Sequence, residues 1–171
     1  MIVYVMRHAE AVERNDAVPD EWRYLTEKGR IAAKKMSTTV ARYGPKTRLT
    51  VTSPLTRAVQ TAEIAAEKAC RKNVVIASAL LLPGADITEL VTYIKALKDS
   101  KRIMLVGHEP QLGLLVAVLL GCEGRATPLK KGACVALKLE GHDKPASFLW
   151  YLTPGKKRVT SFKKAFPHHP A

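Results

Sequence analysis

Two apolar runs in this chain end in residues that could bind or attack an anion. The run from Ile2 to Met6 ends in Arg7 and His8, and the run 102–107 ends in His108. A neutral imidazole is a competent nucleophile near neutral pH, and its attack on phosphorus would form a covalent phosphohistidine. Taken alone, Arg7 and His8 could equally be the first solvated residues beyond a strand. The rest of the chain decides between the two interpretations.

A third apolar run, 48–52, is followed by Ser53 and Pro54, and Arg57 comes one turn into the next helical segment. A guanidinium binds two phosphate oxygens at once, and two guanidiniums spread the charge of a metaphosphate-like transition state. A second histidine, if protonated, would add another charged donor. These residue types indicate phosphoryl transfer.

The elements around these residues alternate between strand and helix. Short β-branched runs predict strands, and apolar residues at helical spacing after Thr26, Pro54 and Asp86 predict helices. The predicted strands are Ile2–Met6, Arg48–Thr52, 73–78 and Arg102–Gly107, with a buried helix at Leu112–Gly121 and a final hairpin, 133–140 and 146–152, around the turn GHDKP. This order predicts an α/β fold, a three-layer α/β/α sandwich with a mostly parallel sheet and an antiparallel edge strand. We expect one domain over residues 1–171.

In such a sheet, ligands bind beyond the carboxyl ends of the strands. Arg7, His8, Arg57 and His108 all follow predicted strand ends, and the helix after His108 offers free backbone N–H groups. A lone histidine or arginine at such a place is more often packed or solvated. Four of them at three equivalent strand ends predict a phosphate site.

The bulk composition favours an anionic partner. The 171 residues carry a formal net charge of +13, with basic clusters such as Lys34-Lys35 and Lys163-Lys164. Such a charge suits phosphate esters, a phosphoprotein, an acidic domain or nucleic acid. Most of these lysines are expected simply to be solvated. Because no aromatic residues are interleaved with them and no nucleic-acid motif is present, nucleic acid is the less favoured partner.

Other classes of protein are disfavoured by what the sequence lacks. No apolar run approaches the ~18 residues that a membrane helix needs. The three cysteines, Cys70, Cys122 and Cys134, form no close pair, and no secretory signal precedes the first strand. We therefore expect a reducing, cytoplasmic location. His, Asp and Glu show no metal-ligand spacing, so we expect neither a metal nor a cofactor.

Three segments together resemble a known family. MRHAEA, SPLTRAVQTAE and VGHEP are similar, in this order, to the signature segments of the histidine phosphatase superfamily, which has the phosphoglycerate-mutase-like fold. The short length and the LVGHEPQLG segment resemble its SixA-type branch, the phosphohistidine phosphatases. The resemblance implies that His8 is the phosphorylated nucleophile and that Arg7, Arg57 and His108 form the phosphate pocket. Ala9 stands where many members have glycine, and Ser53 is expected to be structural.

The general acid is left open by the sequence. Many members of the superfamily place an acidic residue after the third strand, and Asp86 and Glu89 lie in that region. Asp86 could instead cap a helix, and Glu89 could favour the helix dipole from its first turn; both alternatives are preferred here. An imidazole leaving group demands less acid catalysis than an alkoxide, which favours phosphohistidine as the substrate.

The favoured hypothesis is a metal-independent phosphatase that acts on a phosphoprotein, such as a histidine phosphotransfer domain. Two alternatives stay open: a phosphatase of small phosphate esters, and a non-catalytic phosphate- or nucleic-acid-binding module on the same fold. A mutase is disfavoured because the chain lacks the extra length that encloses a mutase substrate. We expect a monomer with a basic tail from about residue 153 that packs loosely, if at all.

Overall fold

The computed structural model describes residues 1–72, 74–122, 127–141 and 144–167, apart from the side chain of Lys98. Within these ranges the strands are β1 (Ile2–Arg7), β2 (Leu49–Thr52), β3 (Val75–Ala77), β4 (Arg102–Gly107), β5 (Cys134–Lys138) and β6 (Ser147–Leu152). The helices are α1 (Glu27–Tyr43), α2 (Thr56–Ala69), α3 (Ile87–Ala96), α4 (Gln111–Leu119) and α5 (Phe162–Ala165).

The six strands form one sheet in the order β3-β2-β4-β1-β5-β6. The four strands from β3 to β1 are parallel, whereas β5 and β6 are antiparallel to their neighbours. The predicted α/β fold, with its mostly parallel sheet and antiparallel edge, is therefore confirmed. Because β1 lies between β4 and β5, its buried apolar run has sheet partners on both sides.

Successive residues of β1 point to opposite faces of the sheet and belong to separate cores. Val3 and Val5 pack with the helices α3 and α4, while Tyr4 and Met6 pack with α1 and α2. Helices cover both faces, which gives the three layers predicted from the sequence.

Two helices begin where the sequence predicted, directly after Thr26 and Asp86, and each has a side-chain cap. The Thr26 side chain accepts a hydrogen bond from the Gly29 N–H, and Asp86 accepts from the N–H groups of Thr88 and Glu89. These side chains satisfy backbone donors that have no partner within the helix. The buried helix predicted at Leu112–Gly121 is α4, which begins and ends slightly earlier.

The expectation of a loosely packed C-terminal tail was wrong for the part that the structure describes. The backbone of Val159 exchanges two hydrogen bonds with Tyr151 on β6. Phe166 is buried and stacks on the Tyr151 ring at a centroid distance of 5.2 Å. The aromatic residues interspersed among the lysines supply apolar surface that anchors this segment to the sheet.

Two other predictions touch undescribed residues. The third strand, predicted over 73–78, is Val75–Ala77, and Asn73 lies outside the described residues. The hairpin is present as β5 and β6, although 142 and 143 of its predicted turn are likewise outside them. Among the helices that the structure describes, none is long and apolar enough to cross a membrane.

Candidate active site

The ends of three parallel strands meet at one edge of the sheet. Arg7 lies opposite Gly107 in the register of β1 and β4, and the His8 N–H donates to the Gly107 carbonyl at 3.1 Å. From β2, the Ser53 N–H donates to the Val106 carbonyl at 2.9 Å. The backbone thus fixes the starting points of the side chains that the sequence singled out.

His8 is buried in a geometry that defines its tautomer. Its Nδ1 lies 2.7 Å from the Ala9 carbonyl oxygen. Because a carbonyl can only accept, Nδ1 carries the proton, and a neutral ring then has its lone pair on Nε2. Burial, together with the positive charges of Arg57, Arg7 and Lys131, lowers the pKa of His8 to about 4, against the raising effect of the Ala9 hydrogen bond. At neutral pH His8 is a neutral imidazole whose Nε2 can act as a nucleophile.

His108 lies beside His8, with the two ring centroids 5.0 Å apart. Its Nε2 is 2.9 Å from the Ser53 hydroxyl oxygen, and the ring is buried. Burial and the neighbouring His8 and Arg57 lower the pKa of His108 to about 3. The free site therefore holds a neutral second histidine, in contrast to the protonated donor considered from the sequence. A phosphate dianion nearby would favour the protonated form.

Arg7 is held by the segment that precedes β5. Its Nη1 donates to the Leu129 carbonyl at 2.8 Å. Its Nε is buried and has no hydrogen-bond partner among the described residues, so this N–H is available to an anion oxygen. The same segment supports His8, since the Gly132 N–H donates to the His8 carbonyl at 3.0 Å.

Arg57 is buried in the first turn of α2 and is bound by Asp20. Its Nη1 donates to the Asp20 carbonyl at 2.6 Å, and its Nη2 lies 3.1 Å from the Asp20 carboxylate. Three of the five guanidinium N–H groups are left for other acceptors. The four residues that the sequence predicted for a phosphate pocket thus lie together, and the two arginines act electrostatically on both histidines.

The comparisons with known proteins agree with this geometry. A sequence profile of the histidine phosphatase superfamily (branch 1) matches residues 3–80. An uncharacterised protein of a Picosynechococcus species is 32% identical over 142 residues, which is 81% of this chain and 85% of that protein. The structure of the protein histidine phosphatase SixA complexed with tungstate superposes with a TM-score of 0.78 and 26% identity, covering 90% of this chain and 97% of SixA. The chain belongs to the histidine phosphatase superfamily, in its SixA-type branch.

The fold is shared with a protein named for a different phosphorylated substrate. The structure of a putative α-ribazole-5'-P phosphatase from Escherichia coli superposes with a TM-score of 0.66 at 17% identity, covering 86% of this chain and 94% of that one. The same fold thus occurs in proteins named for quite different phosphorylated substrates, and fold alone does not choose among them.

The two candidates for the general acid, Asp86 and Glu89, both lie at the start of α3. The Asp86 carboxylate accepts hydrogen bonds from the N–H groups of Glu89 and Thr88, which lower its pKa. A carboxyl group with a lowered pKa is ionised at neutral pH and does not donate a proton readily. This geometry favours the helix-cap interpretation of Asp86, and nothing in the structure gives Glu89 a different role.

Three residues beside the predicted set also touch this histidine phosphatase site. Asp20 binds Arg57, Ser53 contacts His108, and the Thr61 hydroxyl accepts from the Ala9 N–H at 3.1 Å. Ser53, expected to be structural, directly orients the second histidine. Thr61 could have been suspected because it follows Arg57 by one helical turn, whereas Asp20 reaches the site only through the path of the loop between β1 and α1.

Among the described residues, no group of three or more His, Cys, Asp or Glu could hold a metal ion.

Proposed function

We propose that this histidine phosphatase works without a metal, through a phosphohistidine intermediate on Nε2 of His8. The observation that carries the proposal is the contact of His8 Nδ1 with the Ala9 carbonyl, which leaves the Nε2 lone pair free. Nε2 attacks phosphorus, the bond from phosphorus to the leaving group breaks, and the leaving group takes a proton. Water then attacks the phosphohistidine, which releases phosphate and restores the neutral ring.

The pocket residues stabilise the charge on the transferred group in this proposal. Arg7 and Arg57 lie close enough to act electrostatically on both histidines, and they supply guanidinium N–H groups that are already in place. His108, neutral in the free site, gains a proton or donates its N–H as the anion enters. The solved SixA structure was obtained with tungstate, which is also an oxyanion.

The proposed substrate is phosphohistidine on a signalling protein, such as a phosphotransfer domain. Asp86 is a helix cap, and the Asp20 carboxylate has a pKa of about 2, since Arg23, Arg57 and Arg14 together outweigh the raising effect of its burial. Neither acid is protonated at neutral pH. A leaving imidazole needs less proton donation than an alkoxide, so this charge state favours a P–N over a P–O substrate. The proposal includes a cytoplasmic monomer, in which partner and enzyme meet in a reducing compartment.

A phosphatase of small phosphate esters is the second candidate. It is favoured by the fold shared with the putative α-ribazole-5'-P phosphatase. In that case an ester should be hydrolysed at least as efficiently as a phosphohistidine peptide.

The test is rapid acid-free quenching followed by intact-mass analysis of the wild type and of His8→Ala. Each protein is mixed with a phosphohistidine peptide and, separately, with para-nitrophenyl phosphate, in the presence of EDTA. We expect one added phosphoryl group in the wild type only, formed faster from the peptide. Turnover by folded His8→Ala close to the wild-type rate would remove His8 as the nucleophile, and faster reaction of the ester would replace the phosphohistidine proposal.

A further inference from the structure

A basic groove runs along α1, outside the pocket that contains His8. It has a volume of about 730 Å³ and lies between α1 and the turn that follows β6. Its lining includes five basic residues, and none of its described lining residues is acidic. These basic residues, here called the groove cations, are Lys28, Lys34, Lys35, Arg42 and Lys156.

Most of the groove cations are not neutralised within the protein. Lys28 pairs with Glu10 at 3.1 Å, but no ion pair joins the other four to a carboxylate in the described part of the chain. All five are exposed. Uncompensated like charges along one helix repel each other, so an external anion would relieve this repulsion.

The floor of the groove is apolar, which distinguishes it from a purely electrostatic surface. Met36 and Leu152 are buried beneath it, and Ile31 is 48% exposed among the lysines. An apolar centre with a charged rim is typical of a protein–protein interface. A nucleic acid would be better served by aromatic residues on which bases stack, and none of the described lining residues is aromatic.

One end of the groove abuts the active site. Pro154, in the groove lining, packs against Gly132, whose N–H holds the His8 carbonyl. Lys28 is tied to Glu10, two residues beyond His8. From there the groove extends along α1 to Arg42, a helical distance of about 21 Å. A protein whose phosphorylated side chain enters the pocket could therefore lay an adjoining surface in this groove.

We propose that the groove is the docking site for an acidic surface of the phosphoprotein substrate. This inference rests on the proposed function, because a small phosphate ester would not extend beyond the pocket. Docking raises the effective concentration of the phosphorylated residue at His8, and the attraction weakens as salt screens it.

The chain offers a matched pair of variants for the test. K34E/K35E reverses two adjacent groove cations on α1. K163E/K164E makes the same charge change on α5, whose Phe162 packs against the core on the opposite face of the sheet. The probes are two labelled peptides that share a histidine, one with a Glu-rich tail and one with Gln in place of every Glu. A single-stranded oligonucleotide serves as the competing polyanion.

Binding is measured first, by fluorescence anisotropy on unphosphorylated peptides at low salt, so that it does not depend on turnover. We expect the wild type and K163E/K164E to bind the Glu-tailed peptide about tenfold more tightly than K34E/K35E does, with no such difference for the Gln-tailed peptide. Equal losses in both variants would show a general effect of net charge and overturn the proposal. A loss confined to the oligonucleotide would assign the groove to nucleic acid.

Turnover of the phosphorylated peptides is the second readout. In K34E/K35E the ratio of kcat/KM for the Glu-tailed peptide to that for the Gln-tailed peptide should fall about tenfold. An unchanged ratio would mean that substrates do not use the groove. If no protein hydrolyses either phosphopeptide, the proposed function fails, while the binding experiment still decides whether the groove takes an acidic partner.

Discussion

Asp20 binds Arg57 through two different oxygens, its backbone carbonyl at 2.6 Å and its carboxylate at 3.1 Å. The same carboxylate lies 2.9 Å from Arg23 and 3.2 Å from Arg14. One acidic residue thus fixes the arginine proposed to bind phosphate and also reduces the positive charge around it. The two effects on phosphate affinity are opposite, and a mutation can separate them.

Asp20→Asn should tighten the binding of inorganic phosphate. We expect an effect of only roughly fivefold, because the ion pair between Asp20 and Arg57 is partly exposed and therefore weak. Asn keeps the backbone carbonyl bond to Arg57 but removes the charge that offsets the guanidinium. The measurement is competitive inhibition of para-nitrophenyl phosphate hydrolysis by phosphate. Glu21→Gln, which removes the neighbouring exposed carboxylate, is the control and should change little. Weaker phosphate binding in Asp20→Asn would mean that holding Arg57 in position matters more than the charge.

Arg57→Ala should lower kcat/KM by 10²- to 10³-fold, the usual cost of removing a preorganised donor to the transition state. Arg57→Lys should restore only part of this loss, because an ammonium cannot bind two phosphate oxygens in the same plane. Arg30→Ala, at an exposed position of α1, controls for loss of one positive charge. A change below tenfold in Arg57→Ala would make Arg57 a structural partner of Asp20 alone.

The buried histidines predict how stability depends on pH. Burial, chiefly, lowers the pKa of His8 to about 4 and that of His108 to about 3. The unfolded chain, with pKa values near ~6.5, therefore binds more protons than the native state as pH falls from about 6.5 towards 4. In this window the free energy of unfolding should fall with decreasing pH, by up to about 1.4 kcal/mol per pH unit for each histidine.

Urea unfolding of the wild type and of His8→Asn/His108→Asn at pH 7 and pH 5, in phosphate-free buffer, checks this prediction. The wild type should lose more stability between the two values of pH than the double variant. Contributions from carboxyl groups are common to both proteins and cancel in the comparison. Equal losses would show that the histidines take up protons in the folded protein without penalty.

The sequence predicted the strand ends because the information there is local. Each apolar run is short and bounded by turn residues, and the parallel arrangement follows from the intervening helices. The sequence alone therefore predicted that Arg7, His8, Arg57 and His108 lie close together. Asp20 could not, because its position depends on how the loop after β1 folds back over α2. The packing of the C-terminal segment was missed for a similar reason. Its lysines dominate the composition, whereas the segment is fixed by a few apolar contacts, above all that of Phe166 with Tyr151, and by backbone bonds of Val159.

Gly29 links the stability of α1 to the shape of the active site. A Cβ atom added at Gly29 would overlap the backbone carbonyl of Glu10, in the loop that continues from His8. Because backbone atoms cannot rotate away as a flexible side chain would, Gly29→Ala must push α1 and this loop apart. We expect a loss of unfolding free energy of about 1–3 kcal/mol, together with a fall in kcat as His8 shifts relative to Arg57.

Gly141→Ala is the matched control for this substitution. A Cβ at Gly141 would meet no atom of the described residues within 4 Å, and the residue is exposed. Urea unfolding and para-nitrophenyl phosphate turnover of both variants then separate a general glycine effect from the specific clash. If Gly29→Ala loses stability but keeps its full kcat, the loop from His8 to Glu10 holds its position independently of α1. Wild-type stability in Gly29→Ala would instead mean that the helix and the loop are not in close contact.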